Sequence, residues 1–240
     1  MAKSNNISEV IDLLDPAAPA NPVSGSSRSD AILDAAEVVF ASSGFNGASI
    51  REIANKAGVA QALIHYHFDN KEKLFEATTS RRSTQINSER AKLLDRILAG
   101  KNTRTLEKLV EALFRPTIET GHELAGGGGN FSRILVSIAN SHQQRDQQLI
   151  EQYYDPIAIR FIAAFSEVEP SISHKTATWA YMFSIGVGMT MMAQTGRCFR
   201  LSEGACDDSD VETILREIVV YVCGGIRAMV ARDIASEQGK

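Results

Sequence analysis

Two of the five histidines in this 240-residue chain flank a tyrosine, in the stretch "GVAQALIHYHFDNKEKLF" from Gly58 to Phe75. His65, Tyr66, His67 and Asp69 invite a metal or acid–base reading. Helical spacing argues against it. Residues two apart on a helix diverge by about 200°, so His65 and His67 do not reach one ion from one helix. His65 and Asp69 stand four apart and can pair, but two ligands do not complete a metal site. No cysteine lies nearby, and no neighbouring serine or acid suggests a nucleophile geometry. The two histidines therefore have separate jobs. With Ile64 and Phe68 facing inward, Gln61, Ala62 and His65 share the outward side. Glutamine reads adenine bidentately, histidine donates to a base acceptor, and an alanine methyl allows close approach in a major groove. Tyr66, His67 and Lys71 fall at the flank and at the next helix start, where phosphates pass on a docked duplex. The plainer alternative is that Tyr66 closes a small core and both histidines are merely solvated.

These side chains need short, well-turned helices to carry them. In "SIREIANKAGV", Ser49 and Glu52 form a capping-box pattern, and Ile50, Ile53, Ala54 and Ala57 make an apolar face. Gly58 stops that helix and permits a left-handed turn, after which "AQALIHYHF" forms a second short helix with Val59, Ile64 and Phe68 inward. Two short helices around a tight Ala-Gly-Val turn outline a helix-turn-helix. Before them, Ile32, Ala35, Ala36, Val39 and Phe40 recur at helical spacing. Gly44 ends that helix and Phe45 tucks back onto the core. "DNKEKLF" opens a longer helix, capped by Asp69 or Asn70, which continues through "SRRSTQINSERAKLLDRIL" to Gly100.

The rest of the chain also reads as helical, without strand blocks or repeats. Helices are expected over "TLEKLVEALFRPTIET", with Pro116 inside, over "FSRILVSIANS", over "QQRDQQLIEQYYDPIAIRFIAAFSEV", over "HKTATWAYMFSIGVGMTMMAQT" and over "DVETILREIVVYVCGGIRAMVARDIA". "HELAGGGGN" and "GRCFRLSEGACDD" read as loops. The expectation is an all-α protein with three parts. Residues 1–27, rich in Pro and Ser toward Arg28, form a disordered arm. Residues 28–75 form a three-helix helix-turn-helix domain, and residues 76–240 a larger helical bundle.

Net charge is −4, which excludes a generally basic coat. The excess of basic over acidic residues is confined to residues 28–104 and is small, so charge placement must carry any nucleic-acid argument. Three cysteines at spacings that fit no zinc pattern, without an apolar leader, point to a reduced cytoplasmic protein. The apolar runs break before membrane-spanning length.

The 45 residues "AILDAAEVVFASSGFNGASIREIANKAGVAQALIHYHFDNKEKLF" resemble the DNA-binding domain of the TetR family of transcriptional regulators. The resemblance implies a homodimer on a palindromic double-stranded operator, nucleoid-associated when bound. It implies base contacts by Arg51, Gln61, Ala62 and His65, and phosphate contacts by Ser49, Tyr66, His67 and Lys71. Two positions depart from the common pattern. Ala60 stands where many members have a serine or threonine cap, and His65 where many have tyrosine.

In family terms, the rear domain holds a dimer interface and a cavity for a small-molecule effector. Parts of it resemble regulators that sense fatty acyl or aromatic compounds. Trp179, Tyr181, Met182, Phe183, Met189, Met191 and Met192 would supply an adaptable apolar lining, with Gly186 and Gly188 making space. Such a stripe can equally be plain core. The candidate pocket set is Arg133, His142, Tyr153, Tyr154, Trp179, Phe183, Met189 and Gln194. Cys223, Gly224 and Gly225 would permit close approach of a partner copy. The segment from Asp69 to Ala77 joins both domains and is the natural lever. These features imply a ligand-responsive repressor without cofactor, metal or catalysis. The alternatives are a DNA-binding protein without effector, an activator, or a helical enzyme or carrier.

Overall fold

The computed structural model describes residues 28–122, 128–192 and 195–238; the expected arm over 1–27 and the candidate Gln194 lie outside them. All regular structure among the described residues is helical. The helices are α1 (Arg28–Gly47), α2 (Ile50–Ala57), α3 (Gln61–Phe68), α4 (Lys71–Ala99), α5 (Leu106–His122), α6 (Gly128–Ala139), α7 (Gln144–Tyr153), α8 (Asp155–Val168), α9 (His174–Met192), α10 (Arg197–Leu201) and α11 (Val211–Gln238). The chain divides into two compact units between Thr78 and Thr79, slightly beyond the expected boundary at 75.

In the first unit, Ile32, Ala36, Val39, Phe40, Ile53, Ala54, Ile64, Leu74 and Phe75 form the core. α1 leaves helical angles at Gly44, at φ 64° and ψ 177°, and the turn delivers Phe45 onto its neighbours. Phe40, Phe45 and Phe75 then pack as an aromatic trio, with Phe75 edge-on to Phe40 at 4.8 Å and to Phe45 at 5.3 Å. α2 begins where the Ser49 hydroxyl accepts from the Glu52 amide at 3.1 Å. It ends at Gly58, left-handed at φ 68°, a conformation costing an L-residue about 1–2 kcal/mol. α3 starts at Ala60 without any side-chain cap.

In the second unit, Leu109, Val110, Leu113, Phe114, Ile118, Phe161, Phe165, Ala177, Leu215 and Ile226 belong to one buried cluster built on α5, α8, α9 and α11. Arg115 on α5 binds Glu111, Glu119 and Glu212 at 2.6 to 3.0 Å, tying α5 to the first turn of α11. Three sequence expectations change here. The glycine-rich stretch is already helical from Gly128 onward. A β-carbon on Gly128 would sit 1.5 Å from the Thr120 carbonyl oxygen, so glycine permits α6 to approach α5. The helix expected over residues 143–168 is two, which meet at Tyr154 (φ −114°, ψ −34°), with Pro156 in the first turn of α8, where a missing N–H costs nothing. The expected loop over residues 196–208 contains the short α10.

Candidate functional site

α3 has one side buried and one side open. Ile64 is 1% exposed, whereas Gln61, Ala62, His65, Tyr66 and His67 are all exposed. Tyr66 is 71% exposed and stands edge-on to His67 at 5.3 Å, so it does not close a core. Ser49 and Arg51, at the start of α2, are exposed as well. Apart from Lys71, the candidate base-reading and phosphate-binding side chains are thus solvent-accessible.

Two members are held in ways that spacing alone did not reveal. The His65 Nδ1 lies 2.9 Å from the Asp69 carbonyl oxygen. A carbonyl only accepts, so Nδ1 carries the proton and the neutral ring presents Nε2 as an acceptor. Asp69 turns this carbonyl toward the ring by adopting φ 65°, while its own amide caps α3 on the His65 carbonyl at 2.9 Å. Lys71 is half-buried. Its Nζ donates to the Ala48 carbonyl at 3.1 Å and sits 4.5 Å over the Phe45 ring. Its ammonium therefore braces the α1–α2 turn.

The second unit contains a cavity of about 190 Å³. Phe114, Leu135, Ala139, Ile150, Ala158, Met182, Ile185, Gly188, Met189 and Met192 supply its apolar lining; Arg90, Thr117, Tyr154, Asp155 and Tyr181 supply the polar part. Of the candidate pocket set, Tyr154 and Met189 line it, joined by Tyr181, Met182 and Met192 of the expected apolar lining. Tyr154 is buried and its hydroxyl pairs with Ser83 at 2.9 Å; burial pushes its phenol up to about 12. The other described members of that set lie elsewhere. Arg133 is exposed on α6, and His142 borders a separate polar hollow with Asn140, Ser141, Gln147 and Glu151. Tyr153 acts through its carbonyl, which accepts from Asn87 Nδ2 at 2.6 Å. Trp179 and Phe183, 52% and 59% exposed, stack on each other at 5.4 Å outside the cavity lining. A β-carbon on Gly186 would meet open space, whereas one on Gly188 would lie 2.5 Å from the Phe114 ring, so only Gly188 makes room in the lining.

Arg90 is the residue that sequence reasoning missed. It sits on α4 at 5% exposure. Its Nε donates to the Leu113 carbonyl at 2.8 Å, and its terminal nitrogens donate to Asn87 Oδ1 at 3.0 Å and Thr117 Oγ1 at 2.6 Å. All three acceptors are uncharged. Burial pulls its pKa below the ordinary arginine value, and the nearby phenols Tyr181 and Tyr154 act in the opposite direction.

A third feature is an exposed apolar surface. Trp179, Met182 and Phe183 on α9, and Val220 and Tyr221 on α11, are all more than half exposed. The two helices pack against each other. A β-carbon on Gly186, Gly224 or Gly225 would meet nothing within 4 Å, while Cys223 is buried in the core and belongs to no surface patch. No helix among the described residues is long and apolar enough to cross a membrane.

Comparison with known proteins bears on both units. The family described as bacterial regulatory proteins, tetR family, matches residues 32–78. A tetracyclin repressor-like C-terminal domain matches residues 111–225. The HTH-type transcriptional repressor KstR2 of Mycolicibacterium smegmatis is 36% identical over 59 residues, covering 25% of this chain and 29% of that protein. The biofilm operon icaADBC HTH-type negative transcriptional regulator IcaR of Staphylococcus aureus (strain Newman) is 34% identical over 126 residues, covering 52% of this chain and 61% of that protein. The chain therefore spans less than two thirds of either relative. The crystal structure of AibR in complex with isovaleryl coenzyme A and operator DNA shares the fold, with a TM-score of 0.59 at 21% identity over 80% of this chain and 96% of that one.

Proposed function

This chain belongs to the TetR family of transcriptional regulators, and from that membership we propose that it is a ligand-responsive repressor. It binds a two-fold symmetric operator as a homodimer and lets go when a small apolar effector fills the cavity of the second unit. The observation that carries the DNA half is α3, with Ile64 sealed beneath and Gln61, Ala62 and His65 standing in solvent. In a major groove, Gln61 and His65 address base edges, Ala62 lets the helix sit close, and Arg51 reaches bases from α2. Ser49, Tyr66 and His67 hold phosphates and set the register. Lys71 braces the turn that leads into Ser49.

The cavity supports the effector half. The IcaR and KstR2 relatives are named as repressors, and AibR was solved with an acyl coenzyme A and operator DNA; here the same pairing of roles is a proposal. The exposed apolar side chains on α9 and α11 provide the dimer interface. Each protomer then reads one half-site, with centres one helical turn apart, ~34 Å. An effector that prefers a protomer arrangement unfit for that spacing weakens operator binding, and DNA weakens effector binding by the same factor. Shifting a population almost wholly from one state to the other needs a differential affinity of ~5 kcal/mol. The protein acts in the cytoplasm, on the nucleoid.

The test is enrichment of bound duplexes from random DNA by the full-length protein, followed by release trials with small apolar compounds. An inverted repeat that is released by a compound supports the proposal. Enrichment without release by any compound leaves a regulator without effector, and a pool with no motif overturns the DNA reading.

A further inference from the structure

We infer that the effector is a small monocarboxylate, its anion held by Arg90 and Tyr181 and its apolar body lying along α9 toward Met192. This rests on the effector-responsive reading above and narrows it to one chemical class.

Arg90 is the basic residue of the cavity lining. A guanidinium has five N–H donors and keeps its charge in proteins. Three donors are spent on Leu113, Asn87 and Thr117, which leaves two. Among the described residues no carboxylate pairs with it, although it is 5% exposed and lines the cavity. A buried cation without a counter-charge is costly to the apo protein, so an anion entering the cavity recovers what folding left uncompensated. The planar fork matches a carboxylate in geometry as well as sign. Asn87, itself held by the Tyr153 carbonyl, fixes the fork's orientation.

Tyr181 supplies the second contact. It is 7% exposed, lines the same cavity, and its hydroxyl has no hydrogen-bond partner among the described residues. Both Tyr154 and Tyr181 lie within electrostatic reach of Arg90. Asp155, the single acidic residue of the lining, is exposed at the first residue of α8 and makes no ion pair with Arg90.

The shape follows from α9. Tyr181, Ile185, Gly188 and Met192 line the cavity at helical spacing, a stripe about 16 Å long at the helical rise. Its polar residue is at the N-terminal end and its other members are apolar. An apolar cavity of about 150 Å³ holds benzene. The 190 Å³ here therefore admits a body of about six to nine carbon atoms. A coenzyme A moiety exceeds that volume several-fold, so in a thioester only the acyl body would lie inside and the nucleotide outside, away from Arg90.

The experiment is calorimetric titration of the full-length protein with octanoate and phenylacetate, with octanamide, phenylacetamide and octanoyl coenzyme A as neutral or thioester counterparts. The acids are expected to bind at least ~30-fold more tightly than their amides, in line with charged hydrogen bonds being worth more than neutral ones. Arg90→Met is expected to fold, with Tm unchanged or raised, and to lose ~100-fold or more in acid affinity. Tyr181→Phe, which keeps the packing, is expected to lose several-fold, and it carries the test should Arg90→Met not fold. Amides or thioesters that bind as well as the acids, or acid affinity that survives both substitutions, would overturn the inference. Release of the enriched operator is scored separately. Acid binding without release removes the effector reading and keeps the carboxylate site. Release by a neutral compound, without acid binding, keeps the effector reading and removes the carboxylate.

Discussion

His65 exposes most clearly how one contact sets chemistry. Because its Nδ1 donates to Asp69, the neutral ring offers only an acceptor to DNA. The base opposite should therefore present an amino group, adenine N6 or cytosine N4. His65→Ala should relax that position by roughly 10-fold, the low end of a base contact's worth. Lys71 gives a second test at this scale. If it braces the Ala48 turn and the Phe45 ring, Lys71→Met lowers Tm by a few degrees, equivalent to about 1 kcal/mol. It then leaves the salt dependence of DNA binding unchanged. A slope reduced by about one would instead make Lys71 a phosphate ligand.

At the scale of elements, the front helices were readable because local signals agree there. The Ser49 cap, the Gly58 stop and the buried Ile53 and Ile64 all point one way. The second unit was less readable because packing between distant segments decides it. Arg90 lies in "NSERAKLLDR", a run that reads as a solvated helix face; only the approach of Leu113 and Thr117 on α5 buries it. Trp179 and Phe183 stand two residues either side of Tyr181, on the other face of α9, and composition does not say which side of the helix meets a cavity. The Pro156 break was legible from proline's missing donor, yet the apolar period runs across it and masked it. Gly188 now has a stated role. Gly188→Ala would drive a β-carbon against the Phe114 ring, reducing the cavity or shifting the ring into it. The expected result is octanoate affinity lowered by 10-fold or more with a destabilisation of about 1–3 kcal/mol, measured by calorimetry and denaturant melts. Gly186→Ala, which meets open space inside the same helix, should leave octanoate affinity unchanged and raise stability by about 0.5–1 kcal/mol, and serves as the control.

At the scale of the molecule, the proposal requires two copies. Phe183→Glu combined with Val220→Glu places charge on the exposed apolar surface without touching the cavity lining. The double variant should sediment as a monomer at micromolar concentration while keeping its helical signal, and should lose cooperative binding to the inverted repeat. A dimer that persists would move the interface elsewhere. The central claim is linkage between cavity and operator, and reciprocity tests it most directly. Operator affinity would be measured by fluorescence anisotropy with and without saturating carboxylate, and carboxylate affinity with and without saturating operator. The expected outcome is one shared factor, ~5- to 150-fold, in both directions. Superimposable operator-binding curves with the cavity empty and filled would contradict it.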